Sequence, residues 1–182
     1  MEIVCPVLKH KGVEPQVHES AYIDELARVI GDVRIGEHAY IGQGVTIRGD
    51  LGRVTIGNYV IVQDNAMIYP PEVFVDGTLN HGSIIIGNYV FIGKGAVVQG
   101  SYIADYCFVG NNAVIERESQ LNQGDVILPG SVVPNKAVVP PESVMAGNPA
   151  NLIRKLGHGE QERHEEFIEA YIRFVETFEK TK

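Results

Sequence analysis

Aliphatic residues recur along this chain at a spacing of six. Val29, Ile35, Ile41 and Ile47 stand six apart, as do Ile56, Val62 and Ile68, and then Ile86, Ile92 and Val98. The longest run, Ile103, Val109, Ile115, Leu121, Ile127, Val133, Val139 and Met145, continues without a slip. A helix would repeat apolar residues at three and four, and a half-buried strand at two, so neither accounts for six. The residue after the aliphatic one is often glycine, as at Gly36, Gly42, Gly57, Gly87, Gly93 and Gly110. The fifth position is small or β-branched, as at Ala39, Val60, Ala96, Ala113, Ser119 and Ser131.

This pattern predicts one short strand and one tight corner per hexad. The aliphatic side chain points inward and stacks on its equivalents one coil away. The small residue fits the crowded corner, and Gly, Asn and Asp suit the backbone of the turns. Three hexads close a triangular coil of about 18 residues, and coils stack at about 4.8 Å with paired backbones. The expected fold is an all-β parallel β-helix over about residues 14–150, within a single domain.

The repeat breaks in two places. Ile47 to Ile56 spans nine residues, so three extra residues sit near Leu51 to Val54. Between Ile68 and Ile86 the hexads fail, and Tyr69-Pro70-Pro71 with the run Asp76 to Gly82 read as an excursion loop. The pattern stops after Met145, where Pro149 is expected to close the last coil. From about residue 158 to 180 the period becomes helical. Phe167, Tyr171, Phe174, Val175 and Phe178 form a stripe expected to pack on one face of the prism.

Composition narrows the function classes. A hydrophobic fraction of 45% supports a packed core, and a net charge of −8 argues against nucleic-acid binding. The two cysteines, Cys5 and Cys107, make neither a disulfide framework nor a metal cluster. The first residues lack an apolar signal segment and no stretch is long enough to span a membrane, so a cytoplasmic protein is expected.

The element Ile47-Arg48-Gly49-Asp50, followed by Val62-Gln63-Asp64-Asn65-Ala66, resembles the γ-class carbonic anhydrase family of hexapeptide-repeat proteins. The resemblance covers roughly residues 14–178, and it implies a left-handed coil with a C-terminal helix. In that family the active site lies between the subunits of a trimer, and three histidines bind a metal, commonly zinc. One follows the Gln-Asp pair, and the others form a His-x4-His pair one coil later. Those places fall on Tyr69, Lys94 and Gln99. Zinc with an open position takes imidazole, thiolate or carboxylate ligands, and a protonated Lys94 repels a cation. No zinc and no carbonic anhydrase activity are therefore expected.

Gln63, Asp64, Tyr69, His81, Lys94 and Gln99 remain as candidate site residues, with His81 and Asp64 the one histidine pairing that suggests itself. Arg48 and Asp50 are the interface candidates. The resemblance implies that this pair ties subunits together, and a guanidinium–carboxylate fork suits such a place. It could instead orient bicarbonate or another carboxylate. The implied function is a homotrimer that holds a small anion near Lys94 in an inter-subunit cleft.

Two alternatives stand beside it. Hexapeptide-repeat acyltransferases share the repeats and the Gly147-Asn148-Pro149-Ala150 element. They would use acetyl-CoA, with His81 as general base and Lys136, Arg154 or Lys155 near the carrier. A non-catalytic assembly subunit is the third reading, because dynactin's pointed-end β-helix subunits are similar in having Ile-Arg-Gly-Asp followed by a Pro-Pro loop.

Overall fold

In the computed structural model, which describes residues 6–100 and 102–177, the side chains that recur every six residues form one continuous internal stack. Ile41, Ile47, Ile92, Ile103, Ile115, Leu121 and Ile127 are all fully buried. Each short strand pairs in parallel with its equivalents one coil before and after. Phe91–Ile92, for example, lies between Ile61–Val62 and Phe108–Val109. The chain is a left-handed parallel β-helix, with one α-helix among the described residues, near its C-terminal end.

Three faces result. The first carries Tyr40–Ile41, Ile61–Val62, Phe91–Ile92, Phe108–Val109 and Val126–Ile127. The second, here the open face, carries Met67–Ile68, Val97–Val98, Val114–Ile115 and Val132–Val133. The third carries Ile84–Ile86, Tyr102–Ile103, Gln120–Leu121 and Val138–Val139. The long strand Thr46–Ile56 passes from the second face to the third, pairing with Met67–Ile68 at one end and Ile84–Ile86 at the other. Its three extra residues appear as a register shift against Arg28–Ile35.

The corners divide their labour differently from the expectation. Left-handed backbone falls at the fourth hexad position, at His38 (φ 51), Tyr59 (φ 56), Tyr89 (φ 53) and Tyr106 (φ 63). The glycines at the second position serve close approach instead. A Cβ on Gly87 would stand 2.2 Å from Asp105 Oδ1, and one on Gly36 would stand 2.3 Å from Asn58 Oδ1. Those side chains cap the turn one coil earlier. The Asn88 N–H donates to Asp105 Oδ1 at 2.7 Å, and the Glu37 N–H donates to Asn58 Oδ1 at 2.8 Å. Left-handed φ costs a bulky residue about 1–2 kcal/mol. The rings of His38, Tyr59, Tyr89 and Tyr106 stack in file at 5.0, 4.9 and 5.3 Å, which offsets that cost by about 0.5–1.5 kcal/mol per pair.

The segment expected as a loop is a β-hairpin. Glu72–Val75 pairs antiparallel with Thr78–His81 about Asp76-Gly77. Both turn residues have positive φ, 48 and 77, as a two-residue type I′ turn requires. The coil also starts earlier than residue 14, because Val7–Leu8 already pairs with Val29 and Ile30. At the other end Ser143–Gly147 folds back on Ala150–Lys155, so Pro149 lies in a hairpin turn.

The helix is Glu160–Val175, shorter than the span expected from the sequence. Cys5, Phe178 and Lys180 lie outside the described residues. Its buried residues are Ile168, Ile172 and Val175, which pack on Tyr40, Ile61 and Phe91. These aliphatic side chains cover that face, and the helix aromatics flank it edge-on. Phe91–Phe167 and Tyr40–Tyr171 both meet at 5.5 Å. Among the described residues no helix is long and apolar enough to cross a membrane.

Candidate functional site

Tyr69, Gln99 and Glu116 each follow a strand of the open face, so the parallel register stacks them at one edge of the prism. There they line a groove of about 420 Å³ together with Pro71, Glu72, Arg117 and Asn135. The Asn135 N–H donates to Glu116 Oε2 at 2.9 Å. Just past Gln99 the spacing from Val98 to Ile103 drops to five. Buried Gly100 fills that tightened corner, where a Cβ would meet Ile115 Cγ2 at 2.7 Å.

Gln63, Asp64 and Lys94 lie at the opposite edge of the open face, after Ile61–Val62 and Phe91–Ile92. Lys94 Nζ stands 3.3 Å from Asp64 Oδ2. Of the three family positions, one chain therefore brings Tyr69 and Gln99 together and holds Lys94 apart. Asp64 has Lys94 as its partner, and His81 lies across the hairpin from Glu72. The His81 Nδ1 is buried and makes no hydrogen bond.

Arg48 and Asp50 point the same way from one strand and form a bidentate fork within a single chain. Arg48 Nε donates to Asp50 Oδ1 at 3.1 Å, and Nη2 donates to Oδ2 at 2.8 Å. The hydrogen bonds from Arg48 hold the Asp50 carboxyl below its usual range.

The residues at the family's metal positions do not fit a zinc ion. A phenol and an amide share one groove, and the third position is an ammonium group already paired with a carboxylate. Among the described residues no group of three or more His, Cys, Asp or Glu is placed to hold a metal ion.

Sequence reasoning missed Asp125. It occupies a fifth-position corner, where every neighbouring hexad has a small residue, and it is fully buried. Its Oδ2 accepts the Asn122 N–H at 2.7 Å, and its Oδ1 accepts the Ser143 N–H at 3.0 Å. Burial raises its pKa to about 7. The folded state thus holds this proton more tightly than the unfolded chain, whose carboxyl titrates near 3.9. The resulting stability is fully present below about pH 4 and is lost as pH rises through about 7. Asp125→Ser, which copies the corner at Ser119, Ser131 and Ser143, is expected to remove that dependence. Urea midpoints at about pH 5 and pH 8 check it, and an unchanged pH slope would refute it. His164, whose pKa burial lowers, acts oppositely as pH falls below its ordinary 6.5. The difference between variant and wild type therefore isolates Asp125.

Comparison with known proteins agrees with the coil. The family model for Dynactin subunit 5 matches residues 26–178. The chain is 31% identical over 166 residues to Probable carbonic anhydrase of Methanocaldococcus jannaschii, covering 91% of this chain and 99% of that protein. It is 32% identical over 142 residues to Gamma carbonic anhydrase 1, mitochondrial, of Arabidopsis thaliana. That match covers 78% of this chain but 51% of the plant protein, so the chain spans about half of that relative's length. Among solved structures, a hexapeptide transferase family protein from Anaplasma phagocytophilum superposes with a TM-score of 0.86 at 26% identity, covering 95% of this chain and 98% of that one. A putative acetyltransferase from Bacillus cereus superposes at 0.84 with 25% identity, covering 92% and 93%. The chain belongs to the hexapeptide-repeat family that includes dynactin subunit 5 and the γ-class carbonic anhydrases.

Proposed function

We propose that this chain forms a cytosolic homotrimer that binds a small carboxylate-type anion between subunits, without a metal. The observation that carries this reading is the separation of the two half-sites. Tyr69 and Gln99 bound the open face on one edge, and Lys94 bounds it on the other. Between them runs an apolar outward column, Met67, Val97, Val114 and Val132, placed in register by the parallel ladder. The helix already covers the first face. Cyclic closure about the open face would bring the Lys94 edge of one subunit to the Tyr69 edge of the next. The Tyr69 hydroxyl, the Gln99 amide and two cations, Lys94 and Arg117, are donors suited to a carboxylate.

The test is thermal unfolding with bicarbonate or acetate. At about ten times Kd, mass action supplies about 1.4 kcal/mol, or roughly 3–6 °C at this chain length. Lys94→Ala is expected to lose that shift. An equal shift in the variant, or none in the wild type, would overturn the reading.

Acyl transfer draws support from the two solved relatives, but the proposed base is withdrawn from the surface and two of the proposed carrier contacts are engaged elsewhere. His81 is tucked into the hairpin, Arg154 forks with Glu160, and Lys155 Nζ donates to Ser143 Oγ. Assembly into a larger complex draws on the Dynactin subunit 5 match and on exposed Leu152 and Ile153 in the closing strand Ala150–Lys155.

A further inference from the structure

Among the described strands, the hairpin Glu72–Val75/Thr78–His81 forms a sheet of its own and joins no other. A lone two-stranded hairpin is at best marginally stable in water. Its root is nevertheless fixed. Pro70 and Pro71 restrict the outgoing backbone, and the Gly82 N–H donates to Pro71 O at 3.0 Å. Gly52 packs beneath so closely that a Cβ there would stand 2.1 Å from Gly82 O. At the other end Phe74 is 72% exposed, the largest value among the described large hydrophobics. A rigidly rooted arm with an apolar residue held in water calls for a receptor.

The occupant of that contact follows from where the arm stands. Its root residues Pro71 and Glu72 line the Tyr69–Gln99 groove, so it leaves the prism at the edge that a neighbouring subunit would meet. The edge offered in return is that of Asp64 and Lys94. The helix presents its aromatic flank there: the Tyr40 ring meets Tyr171 at 5.5 Å, and a Cβ on Gly42 would stand 2.7 Å from Asp64 Oδ1 and 3.2 Å from Tyr40 Cε1, which sets Tyr171, Tyr40 and Asp64 along one edge. Phe167 and Phe174 belong to the same flank and are 46% and 57% exposed. One edge thus carries an exposed apolar tip with Glu72 at its base, and the other an exposed aromatic ridge beside Lys94. The two edges complement each other in both apolar surface and charge.

We infer that the hairpin is an inter-subunit arm that seats Phe74 on the Phe167–Phe174 flank of the C-terminal helix of a second copy of this chain. This rests on the trimer reading above. It assigns the excursion between Ile68 and Ile84 a role in assembly, and it makes the helix a receptor as well as a cover.

The test combines sedimentation with photo-cross-linking. Phe74→Ser removes the tip without touching the stack, and circular dichroism establishes that it remains folded. The variant is expected to raise the trimer dissociation constant at least tenfold. A benzophenone side chain at position 74 is expected to cross-link to residues 160–177 of another subunit. A wild-type trimer with an unaffected Phe74→Ser variant, or cross-links confined to the same chain, would overturn the arm and leave the trimer standing. A monomeric wild type would overturn both.

Discussion

Ile92→Ala is expected to lower the stability of the fold by about 2–5 kcal/mol, the range for deleting a large aliphatic side chain from a core that cannot collapse. Ile92 is fully buried and stands between Val62 and Val109 in the stack. Its strand is two residues long and is hydrogen-bonded on both sides, so the backbone cannot move in to fill the gap. The lost methylenes and the residual cavity therefore both count against the folded state. Ile85→Ala offers the contrast. Ile85 lies on the outer surface of its strand, and its truncation is expected to cost no more than about 0.5 kcal/mol. Urea unfolding of the two variants checks the pair. Equal costs would mean that the six-residue stack does not carry the stability of the prism.

Val114→Arg is expected to convert a trimer to monomers. Val114 points outward in the middle of the open face, between Val97 and Val132. In a three-fold arrangement closed about that face, three guanidinium groups would converge where apolar side chains had met. Desolvating unpaired like charges costs several kcal/mol, enough to raise the dissociation constant by a hundredfold or more. The prism itself should survive, because the side chain at this position leaves the core untouched. Sedimentation velocity with circular dichroism as a control reads both effects. A Val114→Arg trimer with wild-type affinity would remove the open face from the interface.

The coil was legible because its information is local: one aliphatic residue per hexad states the inward direction, and the count of six states the corner. What was not legible depends on residues one coil away. Nothing in Gly87 itself distinguishes a glycine needed for its torsion from one needed for the approach of Asp105, which follows 18 positions later. The helix stripe was legible only in part, for a related reason: Val175 is buried and Tyr171 packs beside it, but Ile168 and Ile172 supply the rest of the buried contact. Phe167, Tyr171 and Phe174 share a period with Ile168, Ile172 and Val175, and packing on the rings of the prism decides that the aliphatic set is the more deeply buried. The hairpin is signalled only by its turn, Asp76-Gly77, because the residues on either side lack the six-residue period that marks the strands of the coil. Asp125 was visible as the acidic exception to the fifth-position rule. The separation of Lys94 from Tyr69 and Gln99 needed the three-dimensional coil, since spacing along the chain does not say which edge a corner occupies.

The γ-carbonic-anhydrase scaffold is kept here while its metal positions are changed to Tyr69, Lys94 and Gln99. The most direct measurement is elemental analysis of the untagged protein after incubation with zinc or ferrous iron and exhaustive dialysis. Retained metal far below one ion per subunit is expected. One tightly held zinc or iron per subunit would contradict it.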